Sequence, residues 1–276
     1  MTRAVKHQLW RGLLLALLLT ASAGWAQPRL VLIIDDLGDN LALGRRAVAL
    51  PGPLTLAILP HTRNAGTLAE LGHRAGKDVI VHAPMSNHAG RPLGPGGLTT
   101  DMDRAAFVAV LEANLAAVPH ARGLNNHMGS ALTEQLLPMS WLMAELRRRG
   151  LFFVDSRTSR ATVAERQAQI YGVPNLRRHV FLDNERTEAA IADQFEQLVN
   201  LARTRGLAVG IAHPYPETLT VLSQALPGLA RRGVEIVAAS RALDGQARPC
   251  PLRILASTAT SACDGPLALS TPVGDN

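Results

Sequence analysis

Cysteine is nearly absent: 276 residues contain two, Cys250 and Cys263, both near the C-terminus. In an oxidising compartment they could close one small loop. Neither lies near the candidate chemistry, which leaves them a structural role or none. Aromatic residues make up only 4% of the chain. The basic clusters Arg147-Arg148-Arg149, Arg177-Arg178 and Arg231-Arg232 therefore have no stacking platform interleaved with them, and nucleic acid is excluded as a partner. Long apolar runs are missing after the first 26 residues, which excludes a transmembrane segment from the rest of the chain. No internal repeat is evident, and nothing in the sequence sets an oligomeric state.

What stands at the N-terminus is a basic start (Arg3, Lys6, Arg11), a short apolar core from Leu13 to Leu19, and small residues at Ala21-Ser22-Ala23 and Gly24-Trp25-Ala26. That pattern is a secretory signal peptide over 1–26, with cleavage before or near Gln27 and export to the periplasm or another extracytoplasmic space. Its removal takes away three basic residues and no acid, so the formal charge of +6 falls to a mildly basic +3. The remainder is long enough to bury one substantial core.

From Arg29 to about Ala242 short apolar runs alternate with helical patterns. Strands are expected at 29–34, 54–59, 79–83, 122–126, 151–154, 180–182, 207–212 and 234–238. Thr100 and Asp103 suggest a capping box opening a helix over 101–118. Further helices are expected over 134–149, stopped by Gly150, and over 187–205, stopped by Gly206. This alternation predicts an α/β protein with a mostly parallel sheet, as a barrel or a wide open sheet. The stretch 86–97 is rich in Pro, Gly and Asn and reads as a long loop. The domain is expected to span 27–243, followed by an irregular tail over 244–276.

Several strand-like runs end in titratable groups. Leu30-Val31-Leu32-Ile33-Ile34 leads directly into Asp35-Asp36. Val79-Ile80-Val81 ends in His82. Gly123-Leu124-Asn125-Asn126 leads to His127. Phe152-Phe153-Val154 ends in Asp155-Ser156-Arg157, and Gly210-Ile211-Ala212 ends in His213. Parallel strands share one rim at their carboxyl ends, where ligands bind in α/β folds. Two adjacent carboxylates at a buried strand end are costly unless something such as a cation compensates them.

The ordered blocks Ile-Ile-Asp-Asp-Leu-Gly (33–38), His-Ala-Pro-Met (82–85), Asn-Asn-His-Met-Gly-Ser (125–130), Phe-Phe-Val-Asp-Ser-Arg-Thr-Ser (152–159), Val-Phe-Leu-Asp-Asn (180–184) and His-Pro-Tyr-Pro-Glu-Thr (213–218) resemble the divergent polysaccharide deacetylases. That family is a remote branch of the metal-dependent carbohydrate deacetylases. The resemblance covers roughly 29–242. It implies an irregular (β/α) barrel, export, a polysaccharide or glycan substrate, and a divalent metal, zinc above all. It also implies that Asp35 is the general base, Asp36 and His82 are metal ligands, and His213 is the proton donor to the leaving group. The wider superfamily often carries a second histidine four residues after the first, but position 86 is Ser. His127 is the expected replacement ligand, with His88 in the long loop as the other candidate. Asp155 and Arg157 read either as an ion pair bracing the rim or as groups that orient a catalytic or ligating histidine. The missing ligand at Ser86 keeps a second reading open: an inactive protein of the same fold that binds a glycan or an envelope partner.

Overall fold

The computed structural model describes residues 27–244. The expected signal peptide, the Cys250–Cys263 pair and all of the expected tail beyond Asp244 lie outside the described residues. Within them the chain forms nine parallel strands: β1 (Arg29–Leu37), β2 (Thr55–Ile58), β3 (Asp78–Met85), β4 (Ala121–Met128), β5 (Phe152–Asp155), β6 (Asn175–Arg177), β7 (Val180–Phe181), β8 (Leu207–Ala212) and β9 (Glu235–Ile236). The helices are α1 (Leu41–Ala49), α2 (Ala65–Arg74), α3 (Arg104–Ala117), α4 (Leu136–Arg149), α5 (Ala164–Tyr171), α6 (Glu188–Arg205), α7 (Pro216–Ala225) and α8 (Ala239–Ala242). The sheet order is β6-β5-β4-β3-β2-β1-β8-β7, and β9 pairs with the start of β1.

The sheet curls into a (β/α) barrel, and one stretch of chain supplies both of its edges. The two edge strands, β6 and β7, are successive pieces of one stretch of chain joined by Arg178 and His179. The Arg178 backbone N–H donates to Asp155 O on the β5 side, and the next N–H, from His179, donates to Val209 O on β8. One extended segment therefore changes partners within two residues and holds both edges. The strand β6 is absent from the sequence expectation, because Asn175-Leu176-Arg177 is too short and polar to show a pattern.

Period-two alternation sorts the strand residues between two cores. Leu30, Leu32 and Ile34 pack outward among helix residues such as Leu68, Phe107 and Leu198. Val31 and Ile33 face inward with Ala57, Ile80, Val154, Val209 and Ile211. Both sets are fully buried on β1, which is why that strand reads as an unbroken apolar run. Carried one step further toward the rim, the inward phase reaches Asp35, His82 and His213. An apolar barrel floor thus turns into a polar layer without any change of alternation.

The helix ends follow local chemistry. Asp103, not Thr100, caps α3, accepting from Ala106 N at 2.8 Å. The N-caps of α1 and α6 are Asn40 and Thr187. The helices α4 and α6 end at Gly150 and Gly206, both left-handed as expected. Arg147, Arg148 and Arg149 fall in the last turn of α4, where cations suit the helix dipole. At the opposite pole α8 closes the barrel floor. Asp78, 4% exposed, accepts from Ser240 N, Ser240 Oγ and Arg122 Nη1 at 2.8, 3.0 and 3.1 Å, and Thr55 Oγ1 accepts from Ala239 N.

Candidate metal centre

Three side chains converge at the rim over the barrel interior. Asp36 Oδ1 lies 2.8 Å from His127 Nδ1 and 3.1 Å from His82 Nε2, and the two ring nitrogens are 3.1 Å apart. No other group of three or more His, Cys, Asp or Glu among the described residues comes together this way. The separations are slightly tighter than the ~3.3 Å edge of a tetrahedral zinc shell with bonds of about 2.0–2.1 Å. Although Asp36 Oδ1 is buried and close to both imidazoles, no N–H points along a hydrogen bond to it. Three ligand-type atoms facing one another, with one left unsatisfied, fit a shared cation better than a self-contained hydrogen-bond network.

Asp36 reaches this point only because the backbone breaks the alternation. Asp35 takes the inward phase, so a regular strand would turn Asp36 outward. Instead Asp36 has φ of 54°, and the β1–β2 register shifts between Ile34 and Leu37. Left-handed backbone at a residue with a side chain is strained, and such strain concentrates at functional sites. Met128 and Arg157, with φ of 53° and 48°, show it at the rim ends of β4 and β5. The bend thus falls at Asp36 itself, while Gly38 serves a close approach: a Cβ there would lie 2.0 Å from Thr62 Oγ1.

His82 is 2% exposed and sits opposite Asn125 in the β3–β4 register. Its Nδ1 lies 2.7 Å from Asn125 Oδ1, and Asn125 Nδ2 donates to Asp35 Oδ1 at 2.8 Å. Asp35 Oδ2 lies 3.6 Å from His82 Nε2. Burial pushes the Asp35 carboxyl above the usual carboxylate range, opposed by His82 and His213. Burial also acts to raise Asp36, but His127 and His82 outweigh it and hold that carboxyl well below the usual range. For His82 burial favours the neutral ring, yet Asp35 and Asp36 prevail and its pKa is raised.

His213 stands on the far side of the cluster, its Nε2 3.8 Å from Asp36 Oδ2. Asp183 holds it twice: Oδ2 accepts the His213 backbone N–H at 2.6 Å and Oδ1 lies 2.9 Å from Nδ1. Thr218 Oγ1 also donates to Asp183, which is 4% exposed. Burial pulls the imidazole down, but the Asp183 hydrogen bond and charge override it and push the His213 pKa up to about 9. Phe181 and Tyr215 flank the ring at centroid distances of 6.1 and 5.5 Å.

The remaining sequence candidates lie elsewhere on the rim. Asp155 accepts from Arg157 N at 2.7 Å and from Thr162 Oγ1 at 3.0 Å, with no histidine among its partners. The Arg157 guanidinium lies 3.9 Å from Glu165. These contacts brace the β5 end. Asp183, given no role from the sequence, is the carboxylate that orients a histidine. Its only sequence signal is its place at the end of the weak run Val180-Phe181-Leu182. His88 is exposed, with its Nε2 3.1 Å from Glu134, and takes no part in the cluster. His61 lies 3.0 Å from Asn114 Oδ1 beside the loop at Gly96.

The sequence profile of the divergent polysaccharide deacetylases matches residues 32–243, nearly all of the described chain. The chain belongs to that family. It is similar to the uncharacterized protein YibQ of Escherichia coli K12, at 36% identity over 209 residues, 76% of this chain and 66% of that protein. Among solved structures it resembles an uncharacterized protein of Agrobacterium tumefaciens, with a TM-score of 0.76 at 23% identity, covering 80% of this chain and 91% of that one. It also resembles the catalytic domain of a peptidoglycan N-acetylglucosamine deacetylase from Eubacterium rectale, with a TM-score of 0.50 at 13% identity, covering 78% and 90%. These two likenesses concern the fold. No helix among the described residues is long and apolar enough to cross a membrane.

Proposed function

We propose that this divergent polysaccharide deacetylase is an exported, metal-dependent hydrolase that removes acetyl groups from an envelope glycan. Asp36, His82 and His127 hold one divalent cation, and two imidazoles with one carboxylate suit zinc. The observation that carries the reading is the buried, unsatisfied Asp36 Oδ1 facing two ring nitrogens. When bound, such an ion supplies Lewis acidity toward an acyl oxygen and lowers the pKa of a water. Asp35 accepts the proton, since burial raises its pKa above the usual carboxylate range and makes it a better proton acceptor. His213 enters protonated, a state that Asp183 favours, and gives a proton to the departing amine or alkoxide. Asp183 keeps that ring oriented and charged. Asp155 and Arg157 shape the β5 end of the rim.

Metal content and acetate release from acetylated cell-wall glycans, measured for wild type, Asp35→Asn and Asp36→Asn, test these roles. Asp35→Asn is expected to keep the metal and lose activity by about 10²–10⁴-fold. Asp36→Asn is expected to lose the metal. Equal metal content in all three proteins would overturn the ligand set. Wild type that binds metal and glycan but releases no acetate would instead favour the glycan-binding reading that Ser86 keeps open.

A further inference from the structure

Asn125 is fully buried between two groups of the centre, 43 residues from His82 and 90 from Asp35 in sequence. A primary amide offers one acceptor and one donor end, so its two contacts are not interchangeable. The ionised Asp35 carboxylate oxygen at 2.8 Å accepts and cannot donate, so the amide nitrogen faces it. The carbonyl end then faces His82 Nδ1 at 2.7 Å and can only accept in turn. His82 must therefore carry hydrogen on Nδ1. In the neutral ring Nε2, the atom beside Asp36 and His127, is then left with the lone pair. The reversed amide would set its oxygen against Asp35 and its N–H₂ against Nδ1.

We propose that Asn125 is a positioning residue: it fixes Nε2 as the metal-facing nitrogen of His82, and Asp35 sets the direction of the amide. Its functional weight rests on the metal-dependent reading above, although its geometry does not require a metal. A neutral amide suits this place better than the carboxylate that often backs a metal-binding histidine. A carboxylate at 125 could hold Nδ1–H, but it could not donate to Asp35 and would add a third negative charge beside Asp35 and Asp36. The parallel register supplies the contact, since His82 and Asn125 are direct partners across β3 and β4. His127 has no equivalent support: its Nδ1 faces the cluster, and its other nitrogen has no hydrogen-bond partner among the described residues.

The test is the ¹⁵N spectrum of the histidine rings in metal-free protein, at a pH high enough for neutral imidazole, together with cobalt(II) titration. Wild-type His82 is expected as the Nδ1–H tautomer. Asn125→Leu is expected to mix the tautomers and to weaken cobalt binding by about 10–100-fold. Asn125→Asp is expected to keep the Nδ1–H tautomer and retain cobalt, because it preserves the acceptor. Wild-type His82 found as Nε2–H would overturn the proposal without any variant. So would Asn125→Leu with wild-type tautomer and cobalt affinity, even at a lowered Tm, since that result describes a residue that only packs. If wild type binds no metal, the hydrolase reading fails and the ring spectrum alone decides the role of Asn125.

Discussion

The two poles of the barrel treat a buried aspartate oxygen in opposite ways. At the floor, Asp78 is surrounded by donors from its own chain: Ser240 N, Ser240 Oγ and Arg122. At the rim, Asp36 sits on left-handed backbone with one buried oxygen that no donor satisfies, beside two imidazoles and a second carboxylate. A charge compensated by the fold itself contributes to stability. A carboxylate held in place under strain, with one oxygen that no donor satisfies, is kept for something that the fold does not supply. The same division holds between conserved chemistry at the top and packing at the bottom of (β/α) barrels in general.

The sharpest test of this contrast is metal removal. His82→Ala should bind a divalent ion at least about 100-fold more weakly than wild type, beyond the loss expected from a residue that merely orients a ligand. Chelator should lower the Tm of wild type, where an ion at about 100 times its Kd adds roughly 2.7 kcal/mol, and leave His82→Ala unchanged. Calorimetry with and without chelator reads both. If chelator lowers both proteins alike, the rim is not distinguished from the floor.

Of comparable size is the effect at the His213–Asp183 pair. Its folded pKa of about 9 exceeds the ordinary value of 6.5, so in chelated protein the pair stabilises fully below about pH 6.5. That contribution is lost as pH rises through about 9. The amount is of order 2–4 kcal/mol at 1.36 kcal/mol per pKa unit. Asp183→Asn should flatten urea-unfolding stability over that window, and a slope equal to wild type would show that Asp183 does not hold the proton on His213.

At the floor, Asp78→Ala should cost about 1–3 kcal/mol by removing a buried acceptor of three hydrogen bonds. It should leave metal content untouched. A loss of metal in this variant would dissolve the contrast between the poles.

The smallest effect concerns the seam. His179 Nδ1 accepts from Val209 N at 2.9 Å, so the ladder there needs a neutral ring. Burial, with Arg177 and Arg205 nearby, lowers the His179 pKa below 6.5. Stability should therefore fall as pH drops below about 6.5, when the unfolded chain takes up a proton that the seam resists. His179→Asn keeps an acceptor without titrating and should flatten this acid slope. An unchanged slope would place its origin elsewhere.

The sequence alone was enough for whatever depends on local periodicity and end chemistry. The parallel strands, the inward layer of Asp35, His82 and His213, and the stops at Gly150 and Gly206 all follow from neighbours within a few positions. Only the tertiary structure decided the rest. Asp36 joins the cluster because a left-handed turn and a shift in β1–β2 register reverse its alternation. His127 rather than His88 completes the group because β4 lies beside β3, while the 86–97 loop carries His88 out to Glu134. Asp183 rather than Asp155 meets a histidine because β7 pairs with β8, and that pairing exists only because the chain changes partners at Arg178 and His179. Asn125 finds its role through cross-strand register. Alternation is written in consecutive residues, whereas strained turns and cross-strand partners are set by backbones far away in sequence, which a periodic pattern cannot encode.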